Sequence, residues 1–330
     1  MRVITHDATT AAITLSDLPT PTPGPGEVLI RVAYAGVNRP DLLQRKGLYP
    51  PPAGATPILG LEVSGVIAAL GPDVTDWRVG QAVCALTPGG GYAEYVTTPA
   101  GHCAVIPDGL GACEAAAIPE TYMTVWANLV ERARLTRDDT VLIHGGSSGI
   151  GVTAIHIAKF LGARVFTTVG NDEKAAACKA LGADAAINYT TQDWAAEIKA
   201  HTQGQGVNVI LDMVGGPYLE KNIRSLAVEG RLVQIAFLQG SKVEMDWMPL
   251  MMKRLTFTGS TLRARPVEEK TRLLRSLEQA IWPALAQGRL RPVIHSVFPL
   301  ERVGEAHDLM ESSRHIGKIM LKVCDESLPC

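Results

Sequence analysis

The sequence predicts an α/β protein in which a β-rich domain precedes a doubly wound parallel sheet. Three observations lead to this prediction. Residues 1–119 carry short strand patterns and proline-rich turns, a glycine-rich turn follows an apolar run at residues 141–143, and strands alternate with helices from residue 120 onward. Sustained alternation of this kind is typical of a parallel sheet that helices cover on both faces.

The first domain is predicted from short strands separated by turn residues. Strand patterns occupy residues 26–34, 61–70 and 79–86. The prolines of residues 19–25 and 50–52 mark loops, because proline removes a backbone donor and fixes φ. Few helical patterns occur in this part of the chain, so we expect a β-rich domain.

The glycine-rich turn predicts a phosphate-binding site. Residues 141–143 form a continuous apolar run, as expected of a buried parallel strand, and residues 150–161 repeat apolar side chains at helical spacing. Glycines between them allow backbone N–H groups to approach phosphate oxygens. We therefore predict that a dinucleotide binds at Gly146, Ser147, Ser148, Gly149 and Ile150. Ser148 stands where the usual G-x-G-x-x-G pattern has glycine, and the alternative is a glycine-rich turn in an ordinary βα unit.

The remaining patterns continue the alternation. Strands are predicted at residues 164–169, 186–189, 207–214, 231–237 and 255–260, with helices at residues 121–133, 172–181, 194–201 and 217–227. After Pro266 a long helix to residue 287, a strand at 293–298, a helix at 301–312 and a last strand at 317–323 are expected to return to the first domain.

Composition excludes several classes of function. The chain has 330 residues and a formal net charge of −2, which argues against a general nucleic-acid or anionic-membrane surface. Residues 1–7 lack the apolar stretch of a signal peptide, and no apolar run is long enough to cross a bilayer, so we expect a cytoplasmic protein with no membrane partner. The six cysteines include no C-x-x-C pair, and we expect them to be reduced, with no metal bound.

Several segments, in this order along the chain, carry a resemblance to a known family. They are residues 35–41 (AGVNRPD), 47–51 (GLYPP), 59–65 (LGLEVSG), 117–120 (AIPE), the glycine-rich turn and 316–319 (IGKI). Together they resemble the medium-chain dehydrogenase/reductase superfamily, in particular its zinc-free quinone oxidoreductase (zeta-crystallin-like) branch, and within that branch the p53-inducible NADPH-dependent type. The resemblance implies a GroES-like catalytic domain at residues 1–119 and 263–330 and a Rossmann NADPH-binding domain at residues 120–262.

The resemblance also bears on metal content. Zinc-dependent relatives carry a cysteine near the position of Asn38 and a histidine at the position of Leu61, and this chain has neither. Without a Lewis acid to stabilise an alkoxide, oxidation of simple alcohols is disfavoured. A quinone requires less of the protein, because hydride addition gives an aromatic phenolate, which is a more stable anion. We therefore expect a zinc-independent enzyme.

Catalytic residues follow from the same resemblance, which places Asn38 and Tyr49 in loops facing the nicotinamide. Asn38 is expected to orient the nicotinamide ribose or a quinone oxygen, and Tyr49 to offer its hydroxyl and ring. The alternative for Tyr49 is an aromatic packed at a proline-rich turn. Thr124 is expected to contact the nicotinamide or its ribose, the alternative being a hydroxyl bonded to its own helix backbone.

Cofactor choice is predicted at the end of the second strand of the nucleotide domain. NAD-specific proteins usually carry an acidic residue there to hold the ribose 2′-OH, whereas this chain has Gly170. Asn171, Lys174 and Tyr189 match family positions that hold a 2′-phosphate, so NADPH is expected. Lys174 as an ordinary solvated lysine is the alternative, and the neighbouring acids of residues 172–173 are read as first-turn acids that favour the helix dipole.

Further predictions concern the ends of strands and the surface. Phe237 and Leu238 are predicted to end a strand at its carboxyl side and to flank the nicotinamide. The methionine-rich run of residues 245–253 is read as a wall for a flat substrate, as core or as subunit interface. The resemblance implies a homodimer through the edge strand near residues 255–260, from Leu255 to Ser260. Lys318 is expected to be a surface lysine, with closure of the cleft as the alternative.

The leading functional hypothesis is an NADPH-dependent reductase of quinones, with enals and enones as further small-molecule acceptors. One alternative is an enoyl reductase, in which hydride goes to the β-carbon of an alkene and a protein group protonates the α-carbon. A second alternative is a non-catalytic protein that binds NADPH.

Overall fold

In the computed structural model, which describes residues 1–324, the backbone forms two compact units. Of the described residues, unit 1 comprises residues 1–123 and 262–324, and unit 2 comprises Thr124–Thr261. Cys330, one of the six cysteines, lies outside the described residues. The other five cysteines are free thiols.

The first segment of unit 1 is mostly strands. In chain order its elements are β1 (Arg2–His6), β2 (Ile13–Asp17), β3 (Glu27–Val37), α1 (Arg39–Arg45), β4 (Glu62–Leu70), β5 (Ala82–Leu86), β6 (Tyr95–Pro99), a 3-10 turn (Ala100–His102), β7 (Cys103–Val105), α2 (Ala112–Ala115) and α3 (Pro119–Val125). The three predicted strands correspond to β3, β4 and β5. Helix α1 follows Asn38 directly and carries a proline in its first turn, where the missing N–H costs nothing.

Unit 2 begins at Thr124, near the end of α3. A π-helix at Trp126–Arg132 follows α3, although the sequence predicts one continuous helix at residues 121–133. The next elements are β8 (Thr140–His144), α4 (Gly149–Phe160), β9 (Arg164–Val169), α5 (Asp172–Ala180), β10 (Ala185–Asn188), α6 (Trp194–His201), β11 (Val207–Asp212), α7 (Tyr218–Ser225), β12 (Leu226–Gln234), α8 (Met248–Met252) and β13 (Thr256–Gly259).

The six strands of unit 2 form one parallel sheet. Their order is β10-β9-β8-β11-β12-β13, and every neighbouring pair is parallel. The order reverses between β8 and β11, as in a doubly wound nucleotide-binding sheet, and ligands of such sheets bind outside the carboxyl ends of the strands at this point. The predicted fold class of this part of the chain is therefore confirmed.

The chain then returns to unit 1. Its last elements are α9 (Val267–Ala286), β14 (Ile294–Pro299), a 3-10 turn (Leu300–Arg302), α10 (Val303–Glu311) and β15 (Lys318–Lys322). The main sheet of unit 1 has the order β14-β15-β3-β4-β5-β7, with β6 also paired to β3. Strand β15 lies antiparallel to β3, so the last strand completes a sheet begun near the start of the chain.

Each unit has its own apolar core. In unit 1 the core includes Ile30, Val32 and Val63, which are essentially inaccessible to water. In unit 2, Leu142 and Ile210 occupy the same position between sheet and helices. Full burial of one such side chain stabilises a fold by about 1.5–3 kcal/mol. Two cores of this kind hold the loops that carry the polar residues described next.

Candidate functional site

The turn between β8 and α4 is too tightly packed for side chains at its glycines. Gly145 has φ +69°, in the left-handed region. A Cβ on Gly146 would overlap Thr167 Oγ1 of the adjacent strand, and a Cβ on Gly151 would overlap the carbonyl oxygen of Gly145. Strand, turn and helix therefore approach each other at distances that only glycine permits.

Ser148 caps the helix that follows the turn. Its Oγ accepts a hydrogen bond of 3.0 Å from the backbone N–H of Gly151, which is one of the first N–H groups of α4. A serine at this position satisfies a donor that the helix itself leaves open. The departure from the usual glycine pattern thus has a structural role.

Three backbone donors at this helix start are open. Within residues 1–324, the N–H groups of Ser147, Gly149 and Ile150 have no protein acceptor. They stand at the positive end of the α4 dipole, where N–H groups and dipole together favour an anion. The turn therefore fits a dinucleotide pyrophosphate, and all three residues belong to the predicted cofactor site.

The first residue after β9 is Gly170, so no carboxylate stands at this position. A Cβ on Gly170 would lie 2.9 Å from the Tyr189 hydroxyl, so the tyrosine leans over the glycine while remaining about half exposed (47%). Lys174 is only 9% exposed, and burial lowers its pKa. The alternative of an ordinary solvated lysine is thus wrong, because α5 places this side chain against the unit.

Neighbouring polar groups have defined partners. Asn171 caps α5 by accepting the Lys174 N–H at 2.9 Å. The Asp172 carboxylate accepts the Asn188 amide at 2.7 Å. The carboxylate of this first-turn acid is therefore bonded to the last residue of β10.

Phe237 and Leu238 lie beyond their predicted strand. Strand β12 begins at Leu226, earlier than predicted, and ends at Gln234. Both side chains belong to the following loop and are 45% and 50% exposed. The prediction that they end a strand is wrong, because the backbone N–H groups of Leu238 and Gln239 bond to the loop after β11 instead.

A buried polar network lies at the carboxyl ends of β8, β9 and β11. It was not predicted from the sequence. His144, the last residue of β8, lies 2.9 Å through Nδ1 from Thr168 Oγ1 and 2.7 Å through Nε2 from Asn222 Oδ1. Asn222 in turn donates to Asp212, which also accepts the Val214 N–H. Burial lowers the pKa of His144. A histidine closing an apolar strand was the available signal for this network.

In unit 1, Asn38 belongs to a buried cluster with Glu62 and Lys318. The Asn38 amide nitrogen donates to Glu62 Oε1 at 2.9 Å and to the Gly36 carbonyl at 3.3 Å. The Lys318 ammonium donates to Glu62 Oε1 at 2.5 Å, to Asn38 Oδ1 at 2.7 Å and to the Val37 carbonyl at 3.1 Å. Lys318 is 3% exposed, so the expectation of a surface lysine is wrong.

The local backbone makes room for this cluster. A Cβ on Gly36 would overlap the Glu62 carboxylate, so glycine in β3 is what admits the acid. The other carboxylate oxygen of Glu62 accepts the backbone N–H of Glu120 at 2.8 Å. Asp41 lies next to the cluster, where it accepts N–H groups from Asn38 and Gly60 and the Tyr92 hydroxyl, while burial raises its pKa to about 6.

Tyr49 and Thr124 keep open hydroxyls. Tyr49 is half-buried, and the Arg263 guanidinium carbon lies 5.8 Å from its ring centroid. Neither hydroxyl makes a hydrogen bond to any residue from 1 to 324. For Thr124 the alternative of a hydroxyl bonded to its own backbone is therefore not realised. The neighbouring Thr121 does make that bond, to the Ala117 carbonyl.

Two further observations concern the described part of the chain. No three His, Cys, Asp or Glu side chains of residues 1–324 are grouped as a metal ion requires. None of the helices in the same range combines the length and apolar character needed to cross a bilayer.

Comparison with known families gives two matches. Residues 24–108 match the alcohol dehydrogenase GroES-like domain. Residues 149–279 match the zinc-binding dehydrogenase family. The first matched segment lies in the β-rich first part of unit 1. The second covers most of unit 2 and the first part of α9, where the chain re-enters unit 1.

Among curated proteins, the phthioceranic/hydroxyphthioceranic acid synthase of Mycobacterium tuberculosis is 34% identical over 306 residues. The match covers 91% of this chain and 14% of that synthase. This chain therefore corresponds to about one seventh of the length of that much larger relative.

Solved structures match along almost the whole chain. An NAD-dependent alcohol dehydrogenase is 33% identical with a TM-score of 0.85, covering 98% of this chain and 100% of its own. The JamJ enoyl reductase is 26% identical with a TM-score of 0.86, covering 97% and 98%. The Escherichia coli quinone oxidoreductase complexed with NADPH is 25% identical with a TM-score of 0.87, covering 98% and 99%.

Proposed function

The chain belongs to the medium-chain dehydrogenase/reductase superfamily, and from that membership we propose that it is a zinc-independent, NADPH-dependent reductase of quinones and related electron-poor acceptors. Nicotinamide-dependent oxidoreduction is the activity of the superfamily. The finer proposal rests chiefly on the open N–H donors of Ser147, Gly149 and Ile150 together with the cofactor-selecting residues after β9. The zeta-crystallin-like branch is part of this proposal.

NADPH as the reductant is supported by three features after β9. Gly170 offers no carboxylate to repel a phosphate, Asp172 is occupied by Asn188, and Lys174 is a poorly solvated cation. A partly desolvated ammonium gains more from a dianionic 2′-phosphate than a fully hydrated one, because part of its hydration is already lost. Tyr189 and Asn171 complete the site we assign to that phosphate.

When bound, the reduced nicotinamide supplies a hydride. The protein then has to hold the acceptor and stabilise the anion that forms. We assign the Tyr49 hydroxyl to hydrogen bonding of the acceptor oxygen, since this hydroxyl has no partner within residues 1–324. Thr124 and the loop residues Phe237 and Leu238 are assigned to the nicotinamide end of the cofactor.

Asn38 is assigned a positioning role. Both amide hydrogens and the amide oxygen are already used within the cluster with Gly36, Glu62 and Lys318. It starts α1 as the residue before the first turn and thereby fixes the loop that leads to Tyr49. The same donor set supports zinc independence, because the Lys318 ammonium already neutralises Glu62 where zinc-dependent relatives place ligands.

The experiment that tests the proposal measures NADPH binding and NADPH oxidation with a panel of ortho- and para-quinones. We expect binding and quinone-dependent oxidation, both unchanged by a chelator. Tyr49→Phe should lower kcat/KM with NADPH binding intact, whereas Tyr95→Phe, on strand β6, is the matched control. The proposal is rejected if NADPH neither binds nor is oxidised, and tight binding without turnover would identify a non-catalytic NADPH-binding protein instead.

A second candidate is reduction of an activated carbon–carbon double bond. It is favoured by the 26% identity to an enoyl reductase along nearly the whole chain. The discriminating measurement compares kcat/KM for a thioester-activated alkene with kcat/KM for each quinone. A clear preference for the thioester would assign the chain to this second activity.

We also propose a homodimer formed through the free edge of the unit 2 sheet. Strand β13 is the last strand of that sheet. Next to it, Met248, Met251 and Met252 are 64%, 71% and 65% exposed, which rules out the core alternative for these side chains. An apolar edge of this kind invites pairing with a second copy. Sedimentation should show a dimer that Met251→Asp weakens, and a monomer at all concentrations would contradict it.

A further inference from the structure

Glu120 presents a carboxyl group without a partner at the start of α3. It is the second residue of this helix, and its backbone N–H is held by Glu62. Its side chain is half-buried. Within residues 1–324, the carboxyl oxygens make neither a hydrogen bond nor an ion pair.

Six charged or titratable groups of unit 1 interact electrostatically with this carboxyl: Glu62, Asp41, Lys318, Arg263, Lys270 and Tyr49. The cations among them are bonded elsewhere. Lys318 is used by Glu62 and Asn38, and the Lys270 ammonium donates to a carbonyl at 3.2 Å.

Arg263, the third cation, also binds other groups. Its guanidinium donates to the Pro88 carbonyl at 2.9 and 3.0 Å and to Gln44 Oε1 at 2.7 Å, which are neutral oxygens. None of the surrounding cations therefore holds Glu120 in its charged form by direct contact. Burial and the neighbouring Glu62 charge raise the pKa of Glu120 to about 8.

Glu120 also acts electrostatically on Tyr49, the residue assigned above to the acceptor. The charge of Glu120 is close enough to Tyr49 to raise the pKa of its phenol, in addition to burial. Tyr49 therefore keeps its proton at neutral pH and can donate a hydrogen bond without giving the proton up. Glu120, in contrast, carries a proton at neutral pH that it can release and then regain from solvent, because it is half-buried.

We propose that Glu120 is the general acid of the reduction, an inference that rests on the proposed function. With a quinone, hydride addition leaves a phenolate oxygen, and the O–H bond of Glu120 breaks to give that oxygen its proton. With an enone, hydride on the β-carbon leaves an enolate, and the Glu120 proton forms the new C–H bond at the α-carbon. The carboxylate left in either case takes a proton from water, so one NADPH and one proton are consumed per acceptor.

Glu120→Gln removes the acid while keeping its size, and Glu114→Gln on α2 is the matched control, since Glu114 is paired with Arg291 on the surface. The wild-type rate should fall as the pH rises through about 8, where Glu120 loses its proton. Glu120→Gln should lower kcat by roughly a hundredfold or more and remove this dependence, whereas NADPH affinity stays unchanged. Glu114→Gln should behave as the wild type.

Product stereochemistry gives a readout that a structural role would not change. Reduction of 2-methylcyclohex-2-en-1-one in D2O should place deuterium on one face of the α-carbon in the wild type. In Glu120→Gln the enolate is protonated by solvent, so both configurations should form.

The resting enzyme provides an independent check. The infrared carboxyl band that distinguishes wild type from Glu120→Gln should disappear as the pH passes about 8. The assignment of Glu120 is overturned if that band is absent at neutral pH. It is also overturned if Glu120→Gln keeps the wild-type pH dependence and gives a single product configuration. Either result leaves the proposed reductase function standing. Absence of turnover with every acceptor rejects the proposed function and the general acid with it.

Discussion

Glu62 and Lys318 form an ion pair that is almost fully removed from water, at 0% and 3% side-chain exposure. Each charge loses its hydration, and the partner together with the hydrogen bonds of Asn38, Val37 and the Glu120 N–H compensates for that loss. Such a pair contributes little net stability compared with apolar residues, but an unpaired member is costly. The pair therefore constrains both positions together.

Lys318→Met should destabilise unit 1 by about 3–5 kcal/mol, because it leaves Glu62 charged and buried without a cation. The double variant Glu62→Gln/Lys318→Met should regain part of this loss, which urea unfolding of both variants would measure. Lys322→Met, on the exposed end of the same strand, should change the free energy of unfolding by less than about 0.5 kcal/mol. Additive effects of the two cluster substitutions would contradict coupling between them.

Lys174→Ala tests the choice of cofactor. Loss of a hydrogen bond to a charged phosphate costs about 1.5–3 kcal/mol, so the Kd for NADPH should rise roughly 10- to 100-fold. The Kd for NADH should hardly change, because NADH has no 2′-phosphate. Lys179→Ala, an exposed lysine of the same helix, is the control. Equal losses for both cofactors, measured by calorimetric titration, would remove Lys174 from the phosphate site.

Sequence could predict the site only as far as local pattern reaches. The glycine turn, Gly170 and Lys174 lie within one βαβ segment, and their roles follow from positions a few residues apart. Lys318 was misplaced because its burial depends on Glu62, 256 positions earlier in the chain. Glu120 is recognisable in the sequence only as part of the AIPE motif, because its lack of a partner depends on which acceptors Arg263 and Lys318 bind.

At the scale of elements, strong periodic segments were predictable and short edge segments were not. Strand β9 and helix α6 have the predicted bounds, because each carries a continuous pattern between clear turn residues. Strands β1, β2, β6 and β7 were missed, since each has at most five residues and is defined by its pairing partner more than by a pattern of its own. Helix α1 was also missed, because the Arg-Pro pair that opens it resembles a loop.

The cap of α4 gives a prediction at this scale. Ser148→Ala removes the acceptor of the Gly151 N–H and should destabilise unit 2 by about 1 kcal/mol. Ser148→Gly should cost only a few tenths of a kcal/mol, because glycine leaves the helix start accessible to water and restores the usual glycine pattern. Thermal unfolding of the two variants checks the order, and a costlier glycine than alanine would show that the cap is unimportant.

At the scale of the whole molecule, buried neutral histidines should make the fold sensitive to acid. Burial, with Arg45, lowers the pKa of His307 to about 3, and burial, with Lys270, lowers that of His102 to about 4. Their folded pKa values lie below the unfolded value of 6.5, so the stability they allow is present above pH 6.5 and is lost as the pH falls toward about 4 and 3.

The corresponding measurement is the free energy of unfolding as a function of pH. His307→Asn should weaken the decline below pH 6.5, because asparagine does not titrate. His201→Asn, at the exposed end of α6, is the matched control for replacing a histidine outside the core. An identical slope in wild type and His307→Asn would show that acid unfolding has another origin.

The pairing of β15 with β3 has a consequence for biosynthesis. Val37 and Lys318 are 281 positions apart. Pairing of β3 with β15 is therefore delayed until the ribosome has added the intervening residues, which takes roughly 14–56 s at about 5–20 residues per second. All of unit 2 emerges during that interval and can fold first. Until β15 is synthesised, residues 34–37 at the end of β3 have unpaired backbone groups along one edge, whereas residues 27–31 can already pair with β6. Unpaired strand edges are surfaces on which aggregates form. We therefore expect the nascent chain to be most prone to aggregation at β3, which is synthesised early and completed late.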